Sequence, residues 1–157
     1  MVTIDLSGKL AVITGASGEL GRVMARTLAA AGADIAVHYH HGADRAENLV
    51  QELRKISVNA NAFTADVGDL SSVLRMKQEI FTTMGAPDII VDAAVVQYQP
   101  WTSVLEQPTK DYESQFRSCV LHNVNMAKAF VPAMKEKGWG RFIGINTECA
   151  MQCFPGQ

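Results

Sequence analysis

Two alternating periods constrain this chain more than any other feature. Short apolar runs of strand length alternate with segments whose apolar residues recur at helical spacing. Residues 10–13 read as a buried strand, after which Leu20, Val23, Met24, Leu28 and Ala31 share a helical face that Gly32 stops. Residues 34–37 read as a second strand, and Asp44 and Glu47 are spaced as a capping pair before a face of Ala46, Leu49, Val50 and Leu53. A weaker strand at 60–64 precedes a helix capped by Asp69, with Leu70, Val73, Leu74, Ile80 and Phe81 on its apolar side. Residues 89–91 form a fourth strand, and a polar loop, 97–108, follows. Thr109 then opens a long helix with Phe116, Cys119, Val120, Ala127, Phe130, Val131 and Met134 on one side, and Pro132 is expected to kink it or to begin a new turn. Residues 141–145 read as a fifth strand.

The order is βαβαβαβαβ. Near-continuous apolar strands separated by amphipathic helices imply an α/β fold, a parallel sheet covered on both faces. Right-handed crossovers favour the doubly wound arrangement, with strand order 3-2-1-4-5. The 157 residues are the length of one domain, 1–157, and 48% apolar with 19% charged residues is an ordinary globular balance. A net charge of −2 gives no electrostatic case for nucleic acid or an anionic membrane. No apolar run approaches the roughly 18 residues of a membrane span, and no secretory leader is visible. Three cysteines, Cys119, Cys149 and Cys153, argue against a disulfide framework and fit a reducing, cytoplasmic setting. Cys149 and Cys153 lack the further ligands a metal site needs, so no metal is expected.

Between the first strand and first helix lies Thr14-Gly-Ala-Ser-Gly-Glu-Leu-Gly21. Gly15 permits a tight turn out of the strand, Gly18 lets backbone approach a phosphate, and Gly21 lets the helix lie close on the strand. The helix N-terminus offers unpaired N–H groups, Leu20 among its first residues, and Ser17 adds a hydroxyl donor. A glycine turn after a strand, opening a helix in a βαβ unit, is the context of the Rossmann dinucleotide fingerprint. No Lys-Ser/Thr follows the glycines, which excludes a P-loop. At the end of the second strand Tyr39 stands where an acid would take the ribose 2′-hydroxyl of NAD. With no acid to repel a 2′-phosphate, and His40, His41 and Arg45 near to attract one, NADP is favoured over NAD. S-adenosylmethionine, which also wants an acid there, is disfavoured.

These residues resemble the short-chain dehydrogenase/reductase family along the whole chain. Asp66-Val67 matches the family's Asp-Val/Leu pair, which implies contact with adenine. Residues 88–91 match the run-in to the family's Asn-Asn-Ala-Gly, which here reads Asp92-Ala93-Ala94-Val95, so Asp92 is the candidate acceptor for a ribose hydroxyl or else a buried carboxylate paired to backbone N–H groups. Residues 135–141, Lys-Glu-Lys-Gly-Trp-Gly-Arg, are also typical of the family. Glu19 occupies a glycine position of the common family turn, and its side chain must point to solvent if a pyrophosphate is to bind. The family's active-site Asn aligns with Cys119, read here as a buried free thiol, and its Ser with Thr147, whose hydroxyl can polarise a carbonyl.

The resemblance implies hydride transfer between a nicotinamide and a small carbonyl or alcohol substrate. The family's Tyr-x-x-x-Lys would fall just past Gln157, so the chain is expected to be a truncated form, poor as a reductase alone because it lacks its general acid/base. The fifth strand and one side of the long helix are then expected to be open, favouring homo-oligomers through either. Two alternatives remain: a non-catalytic dinucleotide-binding module and a nucleotide-free assembly module.

Overall fold

The computed structural model describes residues 4–96 and 102–146. Thr147, Cys149 and Cys153 lie outside them. Five parallel strands, β1 (Leu10–Thr14), β2 (Asp34–Tyr39), β3 (Ala60–Thr64), β4 (Ile89–Asp92) and β5 (Arg141–Gly144), form one sheet in the order β3-β2-β1-β4-β5. This is the doubly wound order expected from the sequence, and the strand order reverses between β1 and β4. Helices α1 (Glu19–Ala30) and α2 (Ala43–Arg54) bury their inner faces with Ile13, Ile35 and Val37 on one side of the sheet. Helix α3 (Leu70–Thr83) and the long helix pack with Val12, Ala36 and Ile90 on the other. Every residue of β1 and β4 is buried, which explains their unbroken apolar runs.

Helix α1 meets the sheet through Gly21, Ala25 and Ala29, a stripe of small residues at every fourth position. Leu20 and Val23, expected on that inner face, are exposed. Close approach requires the stripe: a Cβ at position 21 would run into the Gly15 carbonyl oxygen and stand 2.8 Å from Ala16 Cα. Apolar periodicity gives glycine no weight, so it marks the large flanking residues instead. Helix α2 likewise departs from expectation. Its N-cap is Gly42, in the left-handed region at φ +82°, and no side chain caps the helix. The helix starts before Asp44, so Asp44 lies inside the first turn, where it meets the helix dipole but cannot cap.

Helix α3 behaves as read at its start. The Asp69 carboxylate accepts from the Ser71 and Ser72 N–H groups at 3.1 and 3.2 Å. These bonds satisfy two of the orphan donors of the first turn. Asp69→Ala is expected to lower stability by about 1 kcal/mol in urea unfolding. An unchanged midpoint would remove the cap from the account.

The long helix consists of α4 (Thr109–Gln115) and α5 (His122–Lys137), joined by a π-helical stretch, Phe116–Leu121. A π turn inserts an extra residue and rotates every later side chain about the axis. The expected face is therefore wrong in its first half: Phe116, Cys119 and Val120 are exposed, and Ser118, His122 and Asn125 are buried instead. Past the π turn, Phe130 and Met134 are buried as expected. Pro132 lies inside α5 on its exposed side and does not end it. On strand β5, Ile143 is exposed at the open edge, as is Ile145 just beyond. Among the described residues, no helix is long and apolar enough to cross a membrane.

Candidate dinucleotide site

The site forms at the C-terminal ends of β1 and β4, the reversal point at which open α/β sheets bind ligands. Gly15 leaves β1 with φ +64°, a conformation that favours glycine. A Cβ there would stand 2.9 Å from Ala94 Cα, so the glycine also admits the β4 turn. Thr14 locks that approach: its Oγ1 accepts from the Ala93 and Ala94 N–H groups at 2.9 and 3.1 Å. Ala93 and Ala94 thus form the far wall of the glycine turn.

Within the turn, the Gly18 N–H donates to the Gly15 carbonyl at 2.9 Å and the Ala16 N–H to the His38 carbonyl at 3.0 Å. The Gly15 N–H donates to His38 Nδ1 at 3.1 Å. Among the described residues, none of the backbone bonds that fix the turn uses the N–H of Ser17, Glu19, Leu20 or Gly21. These four donors, at the positive end of α1, make the site fit for an anion. The Glu19 side chain is 87% exposed and ion-paired with Arg22, so it points to solvent and leaves the bend open.

Tyr39 ends β2 half-buried, while His40 and His41 are exposed and stacked with ring centroids 4.0 Å apart. A groove of about 320 Å³ runs beyond β2 and β3, lined by His40, Asp66, Ser72 and Arg75 among others. Asp66 is half-exposed there. One oxygen accepts from the Gly68 N–H at 2.9 Å and the other lies 3.9 Å from Arg117. The Val67 side chain is buried in the core, and its carbonyl accepts from Asn125 Nδ2 at 3.0 Å. Among the described residues, no backbone bond uses the Val67 N–H.

The Asp92 carboxylate is buried but is not paired to backbone N–H groups among the described residues; it lies 3.3 Å from His122 Nε2. His122 Nδ1 lies 3.0 Å from the Ser118 carbonyl and must donate to it, so the facing Nε2 is unprotonated in the neutral ring. Desolvation raises the Asp92 carboxyl above the usual carboxylate range, against the opposing pull of His122. The structure buries this acid at the C-terminal end of β4, beside Thr14. Cys119 is exposed, not buried, with its thiol 3.7 Å from Gln115 Oε1. An exposed S–H is too weak a donor to replace an amide.

Sequence reasoning missed three residues here: Thr14, His38 and His122. His38 carried a signal. A polar residue within the apolar run of a central strand is buried and must find partners. Among the described residues, no group of three His, Cys, Asp or Glu side chains is placed to hold a metal.

The sequence pattern of the family described as short chain dehydrogenase matches residues 9–157. The chain belongs to the short-chain dehydrogenase family. An uncharacterized oxidoreductase of Bacillus subtilis, YhdF, is 32% identical over 131 residues, covering 83% of this chain and 45% of the relative. A gluconate 5-dehydrogenase from Burkholderia cenocepacia, solved with NADP and tartrate, superposes with a TM-score of 0.88 at 27% identity. That match covers 98% of this chain and 59% of the other. The L-sorbose reductase of Gluconobacter frateurii, solved with NADPH and L-sorbose, gives 0.90 at 26% identity over 99% of this chain and 59% of that one. This short-chain dehydrogenase chain therefore spans roughly half the length of the relatives it matches.

Proposed function

We propose that residues 1–157 act as one dinucleotide-binding unit of an NAD(P)-dependent oxidoreductase, with NADP(H) preferred. The observation that carries this reading is the glycine turn at the β1/β4 reversal point, whose Ser17, Glu19, Leu20 and Gly21 N–H groups take no part in the turn's own backbone bonds among the described residues. Those donors hold the pyrophosphate, and the bare Cα of Gly18 lets it approach. His40 and Arg45 attract the 2′-phosphate, helped by Arg75 across the groove and by the absence of an acid at Tyr39. Asp66 and the Val67 N–H receive the adenine, and Ala93 and Ala94 line the ribose side. The relatives solved with NADP and NADPH support the cofactor choice.

When bound, the nicotinamide would supply a hydride to a small carbonyl substrate or take one from the corresponding alcohol. Thr147, through its hydroxyl, orients that substrate oxygen. Cys119 stands at the family's Asn position without the amide that position carries, so its part is limited to lining the site. The spacing Tyr-x-x-x-Lys occurs nowhere in the 157 residues, so no residue of this polypeptide is assigned the general acid/base role. Calorimetric titration at pH 7.5 tests the reading. Saturable heat with NADPH, at least about tenfold tighter than with NADH, is expected. Tighter NADH binding reverses the cofactor choice, and no heat with either rejects the dinucleotide reading.

We also propose a reducing, cytoplasmic setting, on the low cysteine content, and self-association through the exposed stripe Phe116, Val120 and Val124 or the open edge of β5. Sedimentation should show a dimer or larger species that Val120→Glu shifts towards monomer. A wild-type monomer that persists at high concentration contradicts this. These surfaces also favour the second reading, a nucleotide-free assembly module, which predicts no effect of either coenzyme on the melting temperature.

A further inference from the structure

His38 is 1% exposed, and its ring joins two turns distant in sequence. On one side Nδ1 faces the Gly15 N–H at 3.1 Å; on the other Nε2 lies 3.0 Å from the Ala65 carbonyl oxygen. The partners fix the tautomer. An amide can only donate, so Nδ1 carries the lone pair; a carbonyl can only accept, so Nε2 carries the hydrogen. The strand reinforces this arrangement. The His38 carbonyl accepts from the Ala16 N–H, and the Tyr39 carbonyl accepts from the Ala65 N–H at 3.2 Å. Gly15 begins the pyrophosphate turn, and Ala65 precedes Asp66 in the groove beyond β3.

We propose that His38 is a positioning residue for the dinucleotide: its buried ring ties the Gly15 amide to the Ala65 carbonyl, so that the phosphate turn and the adenosine groove are set as one unit. The proposal rests on the dinucleotide reading above. It follows that the Gly15 N–H is not a phosphate donor. Its task is to orient the turn so that the later N–H groups point outward. Loss of the ring leaves two buried polar groups unpaired and frees the turn from the β3 side.

Two variants separate this role from simple packing. In His38→Asn, Oδ1 takes the place of Nδ1 and keeps the Gly15 bond; in His38→Leu both bonds are lost. Titration with NADPH at pH 7.5 should place His38→Asn, which keeps the Gly15 bond but is too short to reach the Ala65 carbonyl, about threefold weaker than wild type. His38→Leu should bind at least about tenfold more weakly. Amide hydrogen exchange should show Gly15 protected in wild type and in His38→Asn, and unprotected in His38→Leu. Nitrogen NMR of the wild-type ring should show the Nε2–H tautomer, a readout that stands even if His38→Leu does not fold. An Nδ1–H tautomer, or His38→Leu binding as wild type does, overturns this proposal and leaves the dinucleotide reading in place. A wild-type chain that binds neither NADPH nor NADH overturns both.

Discussion

Gly21→Ala should lower stability by about 3 kcal/mol, roughly 6–12 °C in melting temperature, and should abolish dinucleotide binding. The added methyl has no flexible side chain to displace. It meets the Gly15 carbonyl and the Ala16 backbone, in the same turn that directs the phosphate donors. Relief requires α1 to move off the sheet, which opens contacts along Ala25 and Ala29 and rotates the Glu19 and Leu20 N–H groups away from the bend. Gly138→Ala is the matched control. Gly138 has φ +68° but nothing within 4 Å of a new Cβ, so its cost is backbone strain alone, about 1 kcal/mol. Its binding should be unchanged. A Gly21→Ala protein that melts within about 2 °C of wild type and still binds NADPH would refute the close-approach argument.

Acid should destabilise the chain through His38. Burial is the largest cause of its depressed pKa, about 4 against an ordinary imidazole's 6.5, with the Ala65 carbonyl opposing and His122 and His40 adding to the depression. The unfolded chain therefore binds a proton that the folded chain refuses between those two values. Stability from this residue is complete above about pH 6.5 and falls as pH drops towards 4, then levels off, a loss of about 3 kcal/mol. Asp92 acts in the opposite sense. Its pKa is raised by desolvation, so its contribution is greatest below its unfolded value and falls as pH rises through the folded one. Subtracting the stability profile of His38→Asn from that of wild type cancels Asp92 and leaves the His38 step. A difference that does not vary with pH from 7 to 4 would show that His38 titrates normally.

The strand order and the glycine turn were legible because both depend on local signals. Unbroken apolar runs mark buried parallel strands, and the spacing of Gly15, Gly18 and Gly21 marks a turn between strand and helix. The errors have physical causes. Leu20 and Val23 were placed inside because a contact built from Gly21, Ala25 and Ala29 has little hydrophobic weight. Phe116 and Val120 were placed inside because the π turn shifts the helical phase, and no residue of that stretch announces it. The neighbour of Asp92 was not legible because His122 comes from a helix thirty residues away in sequence. His38 drew no notice beside Tyr39, His40 and His41, because only the burial of both faces of β2 carries it into the interior. Side-chain pairing across elements leaves no periodic trace.

The central claim is that the start of α1 receives the pyrophosphate of a nicotinamide dinucleotide. Amide NMR during an NADPH titration tests it residue by residue. The account predicts saturable shifts that are largest at Ser17, Glu19, Leu20 and Gly21, with the Gly15 amide still protected by His38. Saturation with these four amides unmoved, or no saturable shift anywhere in the chain, would contradict it.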